Sequence, residues 1–322
     1  MNARASALLL AIFVAGGAAR AAERPTILTN LGTSPDVEAY GELLGIERAH
    51  ILYDSDIDPE GEGRWTRPDR TDVWLDERVP VDYEGYVVLD WEAGVFERLR
   101  GDPEGPGFAG AVGEMVRLAE HVKAERPAAR IGYYGLPITD YWSRGEAWEK
   151  RSRALAPLFD VCDALFPSVY DYYGDQPERD ARVHAELVRM ALDLAGEDPV
   201  FLYTYHRYDH AEEPWAFGII PEGEYFDHVT GLLLVESDGR RPAGVVAWGM
   251  EDYYQRAGFE RDGGGGFARR EAWWERVRAA YNSEMFRGEA PDAYRDRLHR
   301  RVYLQLFIAS LRVQRLIEQG IR

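Results

Sequence analysis

Short apolar runs alternate along this chain with longer segments whose apolar positions recur at helical spacing, an order that places a parallel sheet inside a layer of helices. The runs predict strands at 26–30 (TILTN), 49–54 (AHILYD), 85–92 (GYVVLDWE), 129–135 (ARIGYYG), 164–171 (ALFPSVYD), 199–205 (PVFLYTY) and 244–249 (GVVAWG). Between them Ala111, Met115, Leu118 and Val122 mark one face of a helix that Pro127 stops. Val183, Leu187, Ala191 and Leu194 mark another, with Gly196 as its C-terminal cap. After the last strand come a loop containing Gly263 to Gly266 and helices over 270–282 and 292–319. The second of these is apolar between Val302 and Val313 and is expected to be buried, with Gly320 at its end. The pattern predicts an α/β domain of several βα units arranged as a barrel over 22–282. Residues 283–322 form a helical extension packed on it. Chemistry on a barrel gathers where strands run out into loops.

Composition adds limits to that picture. With 46% hydrophobic residues the 322-residue chain can bury a large core, and its 56 acidic against 38 basic side chains give a net charge of -18. That balance removes the counterion release on which nucleic-acid binding depends, and it disfavours anionic membranes. Residues 1–21 read as a signal peptide: MNAR is the basic region, an apolar stretch follows, and Ala19-Arg20-Ala21 is the cleavage site. The expected mature chain starts at Ala22, is secreted or periplasmic, and is not inserted in a membrane. One cysteine, Cys162, allows no internal disulfide and reads as a buried thiol.

The most informative chemical signal is Asp90-Trp91-Glu92 at the end of VVLD. In a strand, residues i and i+2 share a face, so two carboxyls would converge while Leu89 and Trp91 point the other way. Repulsion and burial would raise the pKa of at least one, giving the proton donor that a glycosidase needs. The strand ends Gly132-Tyr133-Tyr134-Gly135, Pro167-Ser168-Val169-Tyr170 and Trp248-Gly249 add aromatic faces with hydroxyl or indole handles, which suit sugar rings.

Taken in order, VVLDWE, ERPAARIGYYGLP, DALFPSVYD, PVFLYTY and GVVAWG resemble the bee-venom and mammalian-type hyaluronidases, glycoside hydrolase family 56, over roughly Thr26 to Asp252. The resemblance implies a distorted TIM-like barrel with extra C-terminal helices. It implies cleavage of β-linked N-acetylhexosaminides with retention, the substrate's own N-acetyl oxygen serving as nucleophile. On the matching positions Glu92 is the general acid and then base. Asp90 orients the N-acetyl group with help from Tyr170. Tyr134, Trp248, Tyr203 and Tyr205 line the substrate site. The implied partner is a glycan, with no cofactor and no metal. The chain departs from the family at Ala93-Gly94-Val95-Phe96-Glu97, where members carry Trp-Arg-Pro-like residues, and it lacks their disulfides and cysteine-rich C-terminal module. A glycan-binding protein that keeps the barrel without turnover is the alternative. A carboxylate nucleophile from another strand is a third reading.

Other motifs carry less. Asp54-Ser55-Asp56-Ile57-Asp58 lacks the glycine and the distal glutamate of a calcium loop, which leaves Asp54 or Asp56 to line a groove. His206 and His210 lie past a strand, without helical metal-ligand geometry. Gly263, Gly265 and Ala268 match a loose dinucleotide pattern with no strand leading into it. Arg64, Arg67 and Arg70 could supply a local basic patch that would attract a polyanion, although a solvated loop is their expected role.

Overall fold

The computed structural model describes residues 23–209, 218–249 and 291–321. The signal segment, His210, the Gly263 to Gly266 loop with Ala268 and the helix expected over 270–282 lie outside the described residues. In chain order the described elements are β1 (Thr26–Thr29), α1 (Pro35–Leu43), β2 (Ile46–Arg48), β3 (His50–Tyr53), α2 (Asp54–Ile57), α3 (Pro68–Arg78), β4 (Tyr86–Asp90), α4 (Val95–Leu99), α5 (Pro106–Glu125), β5 (Arg130–Tyr133), α6 (Glu146–Arg153), α7 (Ala156–Phe159), α8 (Pro177–Ala195), β6 (Phe201–Tyr205), α9 (Glu222–Leu233), β7 (Gly244–Trp248) and α10 (Pro291–Glu318).

The strands form two parallel sheets, β2-β1-β7-β6 and β3-β4-β5. The stretch 164–171, expected as a full strand, makes only isolated bridges. Tyr134 pairs with Phe166 on one side, and Leu165 with Val200 and Ser168 with Tyr203 on the other. Pro167 accounts for this: it has no N–H for an inner ladder, although its carbonyl still accepts from the Tyr203 N–H at 2.9 Å. At the opposite margins Ala49 alone separates β2 from β3. Its N–H donates to the Thr29 carbonyl at 3.0 Å, and its carbonyl accepts from Asn30 Nδ2 at 2.6 Å. One stretch of chain therefore leaves the first sheet and enters the second.

Parallel strands covered on both faces need apolar side chains on both, and alternation then sorts them. Ile27, Val87, Leu89, Ile131, Tyr133, Leu165, Leu202 and Val245 join the large core that includes the helices. Their neighbours Leu28, Tyr86, Val88, Phe166, Phe201, Tyr203 and Val246 form a second, separate core with Tyr170 and Tyr205. Aromatic rings fill this second core: Tyr86 meets Phe201 edge-on at 4.9 Å, and Phe166 stacks on Phe201 at 5.8 Å. Small residues make room for the backbone. A Cβ on Gly132 would sit 2.1 Å from the Ala164 carbonyl oxygen, and one on Gly244 would sit 1.9 Å from that of Thr26.

The helices follow the predicted stripes. On α5, Ala111, Met115, Leu118 and Val122 are all buried, and Tyr133 of β5 donates its hydroxyl to the Met115 carbonyl at 2.8 Å. On α8, Val183, Leu187 and Ala191 are buried, and Gly196 closes the helix with φ 56°. α10 buries Val302, Tyr303, Leu306, Ala309 and Val313, and the Tyr303 hydroxyl lies 3.1 Å from Thr29 Oγ1 on β1. Among the described residues no helix is long and apolar enough to cross a membrane. Cys162 is buried, and burial pushes its thiol up to about 12.

Two glycines test the packing. Gly132→Ala should destabilise the chain by about 1–3 kcal/mol through overpacking against Ala164. Gly113→Ala, in the exposed interior of α5 with nothing within 4 Å of the new methyl, should stabilise it by ~0.5–1 kcal/mol. Urea unfolding of the two variants would show shifts of opposite sign.

Candidate active site

β4 carries the acidic pair, but it ends at Asp90, so Glu92 lies beyond the strand rather than on its face as expected. The alternation still holds as far as Trp91, which is fully buried in the helix-side core, while Asp90 continues the side of Val88. Glu92 is exposed, and its carbonyl accepts the Phe96 N–H at 3.1 Å as the chain turns into α4.

A clamp holds this turn. The buried Asp58 carboxylate accepts the N–H groups of Gly63 (2.6 Å) and Glu62 (3.1 Å), and the indole N–H of Trp91 reaches it at 3.4 Å. The 61–63 backbone is thereby pressed on Gly94, where a Cβ would lie 2.5 Å from the Gly61 carbonyl oxygen, and Gly94 adopts φ 67°. Only glycine accommodates both demands. Asp58, discounted as a calcium ligand, thus positions the residue between the two acids.

The aromatic residues from the other strand ends form one continuous wall. Tyr203 meets Tyr134 edge-on at 4.9 Å, and Tyr134 lies 6.1 Å from Tyr170. Tyr170 stacks on Trp248 at 5.5 Å with 17° between ring planes, and Tyr205 packs against both at 5.5 and 5.0 Å. Tyr203, fully buried, donates its hydroxyl to Asn30 Oδ1, and Tyr134 donates to Ser168 Oγ at 3.3 Å. Trp248 and Tyr134 are half-buried, whereas Tyr170 and Tyr205 are buried.

Electrostatics tie the acids to this wall. Burial, then the like charges of Glu92 and Asp54, hold the Asp90 carboxyl well above the usual carboxylate range. Burial also raises the Tyr134 hydroxyl well above its ordinary value, with Glu92, Asp90 and Asp209 adding to it. Tyr203 is raised in the same way by burial, Tyr53 and Asp90. All seven residues singled out in the sequence therefore belong to one constellation at the C-terminal ends of the strands.

The structure adds Asn30, Ser168 and Asp209 to that set, and of the two aspartates offered as groove residues it brings Asp54 beside Asp90. Asn30 and Ser168 occupy strand-end positions of stretches already predicted, but a single amide or hydroxyl there carries no distinguishing pattern. Asp54 lines the site, whereas Asp56 faces Arg70 at 4.0 Å. The basic cluster is largely neutralised: Arg67 pairs with Asp69 at 2.7 Å, and Arg64 alone of the three has no ion pair among the described residues.

No protein-family model matches the sequence, and no curated protein matches it. Among solved structures, this chain is similar to the monoclinic crystal structure of bee venom hyaluronidase, with a TM-score of 0.54 and 17% identity over 70% of this chain and 91% of that one. It is similar also to the crystal structure of bee venom hyaluronidase in complex with a hyaluronic acid tetramer, with a TM-score of 0.56 and 16% identity over 81% of this chain and 98% of that one. The chain has a distant hyaluronidase-like fold, a mixed α/β architecture with parallel sheets inside helices.

The repulsion at Asp90 has a measurable consequence. A carboxyl raised in the folded state costs stability once pH exceeds its unfolded value, and the cost grows as pH climbs toward the folded one. Asp90→Asn should therefore raise Tm at pH 7, by up to ~2 °C for each ~1 kcal/mol in a chain of this size. Thermal melts at pH ~3, where ordinary carboxyls are protonated, should show that difference vanish.

Proposed function

We propose that the chain is an exported glycoside hydrolase that cleaves N-acetylhexosamine-containing, hyaluronan-like glycans. The reading takes the two sheets as arcs of one distorted TIM-like barrel. It is supported by the two separate cores, by the bridges of 164–168 between β5 and β6, and by the passage of the chain through Ala49. The observation that carries the function is the meeting of Asp90 and Glu92 with the Tyr203, Tyr134, Tyr170, Tyr205 and Trp248 wall at the strand ends.

Both acids come from one strand end, on one side of any glycosidic bond lying across the site. A carboxylate nucleophile on the far side is not what such a pair supplies, whereas a substrate-borne nucleophile needs none. Glu92, exposed to the groove, protonates the leaving oxygen as the N-acetyl carbonyl oxygen attacks the anomeric carbon. Water then enters, gives its proton to the Glu92 carboxylate and opens the cyclic intermediate with net retention. Asp90 faces the acetamido N–H, which grows more acidic as the ring closes. Burial makes Asp90 more basic than an exposed carboxylate, and so a stronger acceptor for that N–H when ionised. Tyr170 and Tyr134 direct the acetamido group, and Trp248 walls its methyl.

Reducing-end release from hyaluronan, chondroitin, chitin oligomers and a glycan without N-acetyl groups tests the reading. Cleavage should be confined to the N-acetylated members, and Glu92→Gln should lower turnover by ~10²–10⁴-fold. Full activity in Glu92→Gln would remove the assignment. Binding without product, unchanged in that variant, would replace hydrolysis by glycan binding.

The net charge of -18 makes a second prediction about substrate. A polyanion is repelled by this surface, and salt screens that repulsion. KM for hyaluronan should fall as ionic strength rises from ~0.01 to ~0.15 M, while KM for neutral chitin oligomers should stay constant. A rising KM for hyaluronan would point to a locally basic groove instead.

A further inference from the structure

Behind the aromatic wall, three side chains from distant parts of the sequence meet. Asp171 directly follows Tyr170, His184 lies on the buried side of α8, and His228 lies on α9. One potential ligand atom from each lies within 4.8 Å of the other two. Asp171 Oδ1 is 3.1 Å from His228 Nδ1 and 3.8 Å from His184 Nδ1. Atoms bound at about 2.0 Å to a tetrahedral ion stand about 3.3 Å apart, so the two separations from Asp171 are near those of a coordination shell, and the histidine pair would close in to complete it.

The hydrogen bonding around the cluster is incomplete in a way a cation would complete. His228 Nε2 lies 3.0 Å from the Val169 carbonyl, which can only accept, so in the neutral ring Nε2 carries the hydrogen. Nδ1 then presents a lone pair to a carboxylate oxygen 3.1 Å away, a contact that needs either a proton or a metal cation between the two atoms. His184 is fully buried, and neither of its ring nitrogens has a hydrogen-bond partner; Asp171 Oδ1 has none either. Buried polar groups are rarely left in that state. The carbonyl contact of His228 also repeats the way metal-bound imidazoles are commonly oriented through their other nitrogen.

Asp180 and Glu224 both act electrostatically on members of the cluster, against Arg144 on the His184 side. Two imidazoles with one carboxylate select first-row ions of the zinc type over magnesium or calcium.

We propose that Asp171, His184 and His228 bind one zinc-type divalent cation, which ties the end of 164–171, and with it Tyr170, to α8 and α9. The sequence reading assigned no metal, and no spacing motif could have shown this one, because 13 and 44 residues separate successive ligands.

The test uses the full chain without an affinity tag, stripped with a chelator, incubated with Zn²⁺ and desalted. Elemental analysis should find close to one Zn²⁺ per chain. Co²⁺ in its place should give visible absorption of low-coordinate type, and added metal should raise Tm. His184→Asn and His228→Asn should each abolish retention. His121→Asn, which removes a half-exposed histidine paired with Asp72 at 2.6 Å, should leave it intact. Buried substitutions can loosen the fold by themselves, so the wild type carries the decision. Failure of the stripped wild type to retain Zn²⁺ overturns the proposal. So does full retention by a folded His184→Asn variant, or loss of the metal in His121→Asn.

Discussion

The central constraint on this molecule is that its parallel strands are covered on both faces. A strand so enclosed has no solvated side on which to carry polar groups, and an unpaired polar group within it would cost more than most single contacts return. Within the sheets, polar side chains gather where the strands stop. Asn30, Asp90, Tyr134, Ser168, Tyr170, Tyr205 and Trp248 all occupy such places, and the apolar alternation upstream aims each of them. The fold thus gathers these candidate side chains at one end from strand ends that lie far apart in sequence.

Holding them there requires separate devices. Aromatic side chains fill the inner core and continue to the strand ends, so Tyr203 packs on Phe166 and Tyr134 at once, and Tyr205 packs on Tyr170. The acidic pair depends instead on Trp91, buried on the opposite side and tied through Asp58 to the 61–63 backbone. With Trp91 held, the backbone on either side of it is fixed. Burial, then the like charges of Glu92 and Asp54, raise the Asp90 carboxyl at a cost in stability.

The departure from hyaluronidase sequences after Glu92 has a local meaning. Ala93-Gly94 lets the 61–63 loop approach closely, and the Gly94 conformation starts α4 immediately. A bulky residue at that point would separate the loop from the strand end. This chain has no disulfides, and the Asp58 clamp is a non-covalent tie of the same loop.

Much of this was legible from residue order. Two-sided apolar runs named six of the strand positions, helical stripes named α5, α8 and α10, and the D-x-E and tyrosine-rich strand ends named residues that meet in the candidate site, because each signal is local and set by backbone periodicity. Where local chemistry competed with pattern, the pattern misled. Pro167 turned the 164–171 strand into isolated bridges, and the turn at Gly94 ended β4 two residues early, leaving Glu92 off the strand face. The sequence by itself determined the layered α/β class, the buried stripes and the residues that could do chemistry. Only the tertiary structure decided which of them meet: Asp54 with Asp90, Tyr203 with Asn30, Asp58 with Trp91, and Asp171 with His184 and His228. Such pairings depend on how elements pack across long separations, and no period along the chain encodes them.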